Sequence, residues 1–184
     1  MQKFILAGCD LHDKTMLLKI AEDCGEMVKR SFSNDAGGKE AMIAELKRRA
    51  QEADGARIVL AYEASGLGFG LYDLLEEHEI TCHVLAPSKI ERSAKQCRSK
   101  TDEKDAERIL EILRAHYLAG NALPSVWIPD KQTRDDREVV RGRLDVQEKS
   151  SLVKTQMRTL LKRNGIAKPA TDRKSTRLNS SHRL

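Results

Sequence analysis

The apolar positions of the chain change period as it proceeds. "KFILAG" is a short apolar run suited to a buried strand. "KTMLLKIA" alternates, with Met16, Leu18 and Ile20 on one face. After "DCGE", whose Gly25 suits a turn, "MVKRSFS" reads as a third strand. These three runs follow one another closely, which predicts hairpins and an antiparallel meander. "GGKEAMIAELKRRAQEA" switches to helical rhythm, with Ala41, Ile43/Ala44, Leu46/Lys47 and Ala50 recurring on one side. "ARIVLAYE" is apolar on both faces, as in a parallel strand covered from both sides. "GLYDLLEEHE" predicts a helix, and "TCHVLAP" a further buried strand stopped by Pro87. A basic connector, "SKIERSAKQCRSK", leads into the helix "DEKDAERILEILRAHYLAG", ended by Gly120.

The predicted order is β-β-β-α-β-α-β-α, with right-handed crossovers laying the later strands parallel to the first. This is the element order of a ribonuclease H-like α/β fold: a five-stranded mixed sheet with flanking helices. Past the proline-punctuated "ALPSVWIPD", residues 131 to about 165 read as one long helix. Val139, Val146, Val153 and Leu160 fall seven apart on it, but the matching positions Gly142, Lys149 and Gln156 are not apolar. Half of a coiled-coil seam is present, which fits packing on the domain or on a second subunit as well as a free coiled coil. The predicted organisation is a catalytic-type domain over 1–125 and a linker with the long helix over 126–168. A tail over 169–184 follows, where "TDRKSTRLNSSHRL" has no apolar face and predicts disorder. "DRKSTRLNSSH" also resembles the translation of a common sequencing adapter, so the tail is expected to be an artefact on a reading frame cut near Ala170.

Charge adds a partner class. Residues 1–129 hold 18 Lys and Arg against 21 Asp and Glu, whereas residues 130–184 hold 15 against 7. A near-neutral body followed by a basic region points to a polyanion, nucleic acid before others. Arg141, Arg143, Lys154, Arg158, Lys162 and Arg163 on the long helix are candidate contacts, as are Lys89, Arg92, Lys95, Arg98 and Lys100 in the connector. The competing reading for either set is an ordinary solvated face. Cys9, Cys24, Cys82 and Cys97 show no paired spacing, which fits reduced thiols in the cytoplasm better than a disulfide frame or zinc site. No apolar run is long enough to cross a membrane. The histidines are scattered and receive no role.

"SKTDEKDAERIL" carries the chemistry. Asp102 and Asp105 are helical neighbours, where like charges cost a few tenths of a kcal/mol. Either Asp102 caps the helix N-terminus, or the pair binds a divalent cation. The second reading needs partners, and two stand at strand ends: Asp10 in "LAGCDLH" and Glu63 in "VLAYE". In a ribonuclease H-like sheet the first and fourth strands are neighbours. Asp10 and Glu63 would then lie side by side, with the helix after the fifth strand bringing Asp102 and Asp105 opposite them. Four carboxylates in one place suit Mg²⁺ or Mn²⁺, and such ions serve phosphodiester chemistry.

"GCDLH", "AYEASG" and "KTDEKDAERI" together resemble the N-terminal, RuvC-like domain of the DEDD-type insertion-sequence transposases, described as bridge-RNA-guided recombinases. The resemblance spans about residues 4–165. It implies that Asp10, Glu63, Asp102 and Asp105 form an acidic catalytic and metal-binding tetrad. It further implies DNA as substrate, a guide RNA, a homo-oligomer, and a C-terminal domain with a nucleophilic serine that this chain does not contain. The family's aromatic after the Glu motif is displaced here to Phe69 in "SGLGFG". The fragment is therefore expected to be inactive in strand transfer alone. Alternatives are a stand-alone RuvC-like junction resolvase or nuclease, and a non-catalytic nucleic-acid-binding and dimerisation module. An actin-like sugar kinase would want Gly where His12 stands.

Overall fold

A computed structural model describes residues 2–90 and 101–166. The connector residues 91–100, with Arg92, Lys95, Arg98 and Lys100, lie outside the described residues, as does the predicted tail 169–184. The chain separates into two compact units, residues 1–128 and 129–184.

The first unit is built on strands β1 (Phe4–Leu11), β2 (Thr15–Glu22), β3 (Val28–Ser33), β4 (Arg57–Glu63) and β5 (Thr81–Leu85). Among the described residues, helices α1 (Ala36–Glu52), α2 (Gly70–Glu77) and α3 (Asp102–Ala119) accompany them. The sheet order is β3-β2-β1-β4-β5. β2 runs antiparallel to both β1 and β3, while β4 is parallel to β1 and β5 to β4. This is the ribonuclease H-like arrangement that the element order predicted.

Alternation along the strands sorts the side chains into two cores. Ile5, Ala7, Cys9, Met16, Leu18, Ile20, Leu60 and Tyr62 face one side, where α1 and α2 supply Met42, Leu46, Leu71 and Leu75. Leu6, Ala21, Val59, Ala61 and Leu85 face the other, against Ile109, Leu110 and Leu113 of α3. Burying each large side chain stabilises the fold by about 1.5–3 kcal/mol. The core face of α1 differs from the predicted one. Gly38, Met42, Ile43, Leu46 and Ala50 are buried, whereas Ala41, Ala44 and Lys47 are exposed. Met42 is the larger apolar group, and turning it inward moves the buried stripe by about one residue.

Gly8 fixes how α3 lies. A Cβ there would stand 2.2 Å from the Ala106 carbonyl oxygen and 2.4 Å from the Leu110 nitrogen. The helix backbone thus rests directly on β1, a contact only glycine permits. Gly120 ends α3 with φ of 76°, the left-handed C-terminal conformation its position predicted. In "SGLGFG" the glycine with positive φ is Gly68 (71°).

The second unit is dominated by α4 (Lys131–Arg163), 33 residues long and capped by Asp130, whose carboxylate accepts from the Thr133 backbone N–H at 2.8 Å. No residue of α4 is buried. Its heptad positions Val139, Val146, Val153 and Leu160 are all more than half exposed.

Candidate metal centre

Asp10 occupies the C-terminal end of β1, the middle strand of the sheet. Ligand-binding residues of parallel sheets gather at this edge, where the strands release their chains into loops. Cys9 of β1 pairs with Tyr62 of β4. Asp10 and Glu63 follow that pair on two parallel strands and therefore occupy neighbouring positions on the same face. Leu6, Val59 and Ala61 share that face, which is the one α3 covers.

The close contact at Gly8 carries the first turn of α3 toward Asp10. Thr101, not Asp102, caps the helix: its Oγ1 accepts from the Lys104 backbone N–H. The expectation that Asp102 is the cap is thereby corrected: Thr101 takes that position, and Asp102 follows it in the first turn. His12 stands between the two elements. Its Nε2 is 3.0 Å from Asp10 Oδ2 and 3.6 Å from Asp102 Oδ1. One ligand atom from each of Asp10, His12 and Asp102 lies within 4.8 Å of the others. Asp10 is mostly buried, with its side chain 18% exposed, whereas His12 and Asp102 are open to solvent.

The electrostatics report the same clustering. Burial raises the Asp10 carboxyl above the usual aspartate range, His12 pulls it back, and the negative charges of Asp102 and Asp105 raise it further. Asp105 is thus near enough for its charge to act on Asp10. A mostly buried carboxylate within reach of two other negative charges, with one imidazole beside it, is a donor set that a hard divalent cation fits. A cleft of about 650 Å³ opens beside these residues, lined by Leu11, His12, Lys14, Ser65, Gly66 and Leu67.

Glu103, between the two aspartates in sequence, turns elsewhere. Its carboxylate accepts from Lys19 Nζ at 2.6 Å and from Lys29 Nζ at 2.7 Å. Lys19 and then Lys29 hold its carboxyl well below the usual glutamate range, at about 2. Lys19 is a buried charged residue, only 9% exposed.

Sequence reasoning missed His12 and the Lys19–Glu103 pair. The signal for His12 was present: it lies two residues after Asp10 at the end of a strand, a spacing that returns to the same face. Of the basic connector, Lys89 is described; it is exposed in a short 3₁₀ turn, Pro87–Lys89. Arg141, Arg143, Lys154, Arg158, Lys162 and Arg163 all lie in α4, exposed or nearly so.

Comparison with known proteins identifies the relatives of the chain. A transposase family model, that of the DEDD transposases of IS110 type, matches residues 7–165. A protein named as a transposase, y4qE of Sinorhizobium fredii (strain NBRC 101917 / NGR234), is 31% identical over 131 residues, which is 70% of this chain and 32% of the relative. A second, y4rJ of the same strain, is 29% identical over 136 residues, covering 71% of this chain and 34% of the relative. The chain therefore spans about a third of the length of the curated relatives it matches. The solved structure of T. thermophilus RuvC in complex with Holliday junction substrate aligns over 66% of this chain and 99% of its own, at 12% identity and a TM-score of 0.43. With the match running from within β1 to just past the end of α4, the chain belongs to the IS110-type DEDD transposase family.

Proposed function

We propose that this chain supplies the metal-dependent nuclease part of a transposase that acts on the DNA of an insertion sequence. The observation that carries the reading is the convergence of Asp10 with Asp102 and Asp105 from two elements far apart in sequence, at the carboxyl edge of the sheet. Asp10, Glu63, Asp102 and Asp105 would hold one or two Mg²⁺ or Mn²⁺ ions, with His12 as an added donor. Bound there, such ions supply an activated oxygen nucleophile and stabilise the leaving oxygen of a phosphodiester. Asp10 would offer its carboxylate to the ion from the central strand, and Asp102 and Asp105 theirs from a helix that rests on Gly8. The adjoining cleft gives a strand of nucleic acid room to approach.

Binding is assigned to the basic positions. Lys89 and the connector lysines and arginines flank the acidic centre in sequence, and α4 carries Arg141, Arg143, Lys154, Arg158, Lys162 and Arg163. Contacts of this type grip phosphates without reading bases and weaken steeply with salt. A structured guide RNA, which the family resemblance implies, is a second polyanion for the same surface. The exposed apolar stripe of α4 supports a homo-oligomer, because a 33-residue helix without a buried residue has no packing of its own to stabilise it. Strand transfer is assigned to the full-length protein, with the serine-bearing domain the resemblance implies.

The test uses a full-length relative. The substitution matching Asp105→Asn should abolish recombination while DNA binding stays within a few-fold. Recombination that survives the change would remove the acidic centre from the chemistry.

A further inference from the structure

We propose that Glu103 is a positioning residue: clamped by Lys19 and Lys29, it sets the rotation and height of the first turn of α3 and so holds Asp102 and Asp105 in register with Asp10. The inference rests on the metal-centre reading above and goes beyond it, because it assigns a role to an acid that does not touch the centre.

Three observations meet. Glu103 stands between the two aspartates in sequence, yet the helix turns it about 100° from Asp102, and its oxygens are taken at 2.6 and 2.7 Å by Lys19 and Lys29. Those lysines are register partners on β2 and β3, so the clamp is anchored in the sheet. Lys19 is itself the register partner of Gly8 on β1, the residue on which α3 rests. The clamp and the close approach therefore grip α3 from adjacent strands within its first three turns. A buried lysine needs a partner, so Lys19 selects one helix rotation: the one that gives it Glu103. That rotation turns Asp102 toward His12 and Asp10. At its other end α3 is held separately, by Arg114 donating to the backbone carbonyls of Asp23 and Gly25.

The experiment is Mn²⁺ binding to the 184-residue chain, followed by the paramagnetic signal of the free ion, at about 0.05 and 0.5 M KCl. Wild type, Asp10→Asn, Glu103→Gln, Lys29→Gln and Arg114→Met are compared, each checked for native circular dichroism. Residues that orient metal ligands typically govern affinity by about ten- to a hundredfold. Glu103→Gln should therefore weaken Mn²⁺ by about tenfold, and by nearly as much at high salt, where a through-space charge effect is screened. Lys29→Gln, exposed and safe to fold, should weaken it about two- to threefold by loosening half of the clamp, although removing a positive charge alone would strengthen cation binding. Arg114→Met should bind as wild type does. Should Glu103→Gln fail to fold, the Lys29→Gln result decides. Wild-type affinity in Lys29→Gln, or a Glu103→Gln loss that vanishes at high salt, would overturn the clamp while leaving the metal centre intact. Absence of Asp10-dependent Mn²⁺ binding in wild type would instead overturn the metal reading itself.

Discussion

Gly8 of β1 and Ala106 of α3 approach so closely that a Cβ on the glycine would stand 2.2 Å from the alanine carbonyl oxygen. The acidic centre depends on this contact, because α3 brings Asp102 and Asp105 while β1 brings Asp10. Gly8→Ala must push the helix outward. It should lower stability by about 1–3 kcal/mol, the usual effect of overpacking a core. It should also weaken divalent-ion binding in a protein whose circular dichroism is otherwise native. Chemical denaturation and a metal titration on the same variant check both parts.

His12 offers a nitrogen where the other donors are oxygens. Both Mg²⁺ and Mn²⁺ favour oxygen donors, but Mn²⁺, as the transition metal of the two, is the more tolerant of an imidazole nitrogen. His12→Asn should therefore reduce Mn²⁺ affinity more than Mg²⁺ affinity. Competition titrations with the two ions measure the ratio, and an unchanged ratio would leave His12 as a neighbour rather than a ligand.

Away from the centre, His83 gives the fold a pH dependence. Burial, then the nearby His116 and Arg57, hold its imidazole below the ordinary value of 6.5. Its Nε2 lies 2.7 Å from the Tyr117 hydroxyl. The unfolded chain takes up the proton first, so the contribution of His83 is complete above pH 6.5 and lost as pH falls through the folded value. Thermal midpoints should decline from pH 7 to 5, and less steeply in His83→Gln. Parallel profiles for the two proteins would contradict this assignment.

The stripe on α4 predicts self-association. Val146 and Val153 are 67% and 51% exposed and lie one heptad apart. Replacing both by Glu places like charges at the centre of any paired seam. Sedimentation of wild type should report a dimer or larger, and the double variant a monomer of lower helicity. A wild-type monomer at tens of micromolar would assign the stripe to another partner.

Much of this was legible in the sequence because strands and helices differ in apolar period. The alternation of Met16, Leu18 and Ile20 gave β2 its buried face, and "ARIVLAYE", apolar on both sides, gave a strand flanked by two others. Asp10 and Glu63 were visible as carboxylates closing apolar runs. What stayed hidden depends on contacts between elements. Thr101 and Asp102 are both good caps, and only the chain geometry selects Thr101. Ala41 and Met42 both fit a helical stripe, and the sheet chooses Met42. His12 looked like one scattered histidine among several, because its meaning comes from Asp102, 90 positions away. The role of Lys19 is likewise set from a distance, by Glu103, 84 positions along the chain.

The central claim is that Asp10, Asp102 and their acidic neighbours hold a divalent cation. The most direct measurement is a thermal-shift titration with Mg²⁺ or Mn²⁺, run on wild type, Asp10→Asn and Asp102→Asn. A bound ion stabilises the fold by about 1.4 kcal/mol for each tenfold rise in concentration above its dissociation constant. The wild-type midpoint should therefore climb with the logarithm of metal concentration, and both variants should need at least about tenfold more metal to begin climbing. Three superimposable, metal-independent curves would contradict the account and leave these aspartates as acids that hold no cation.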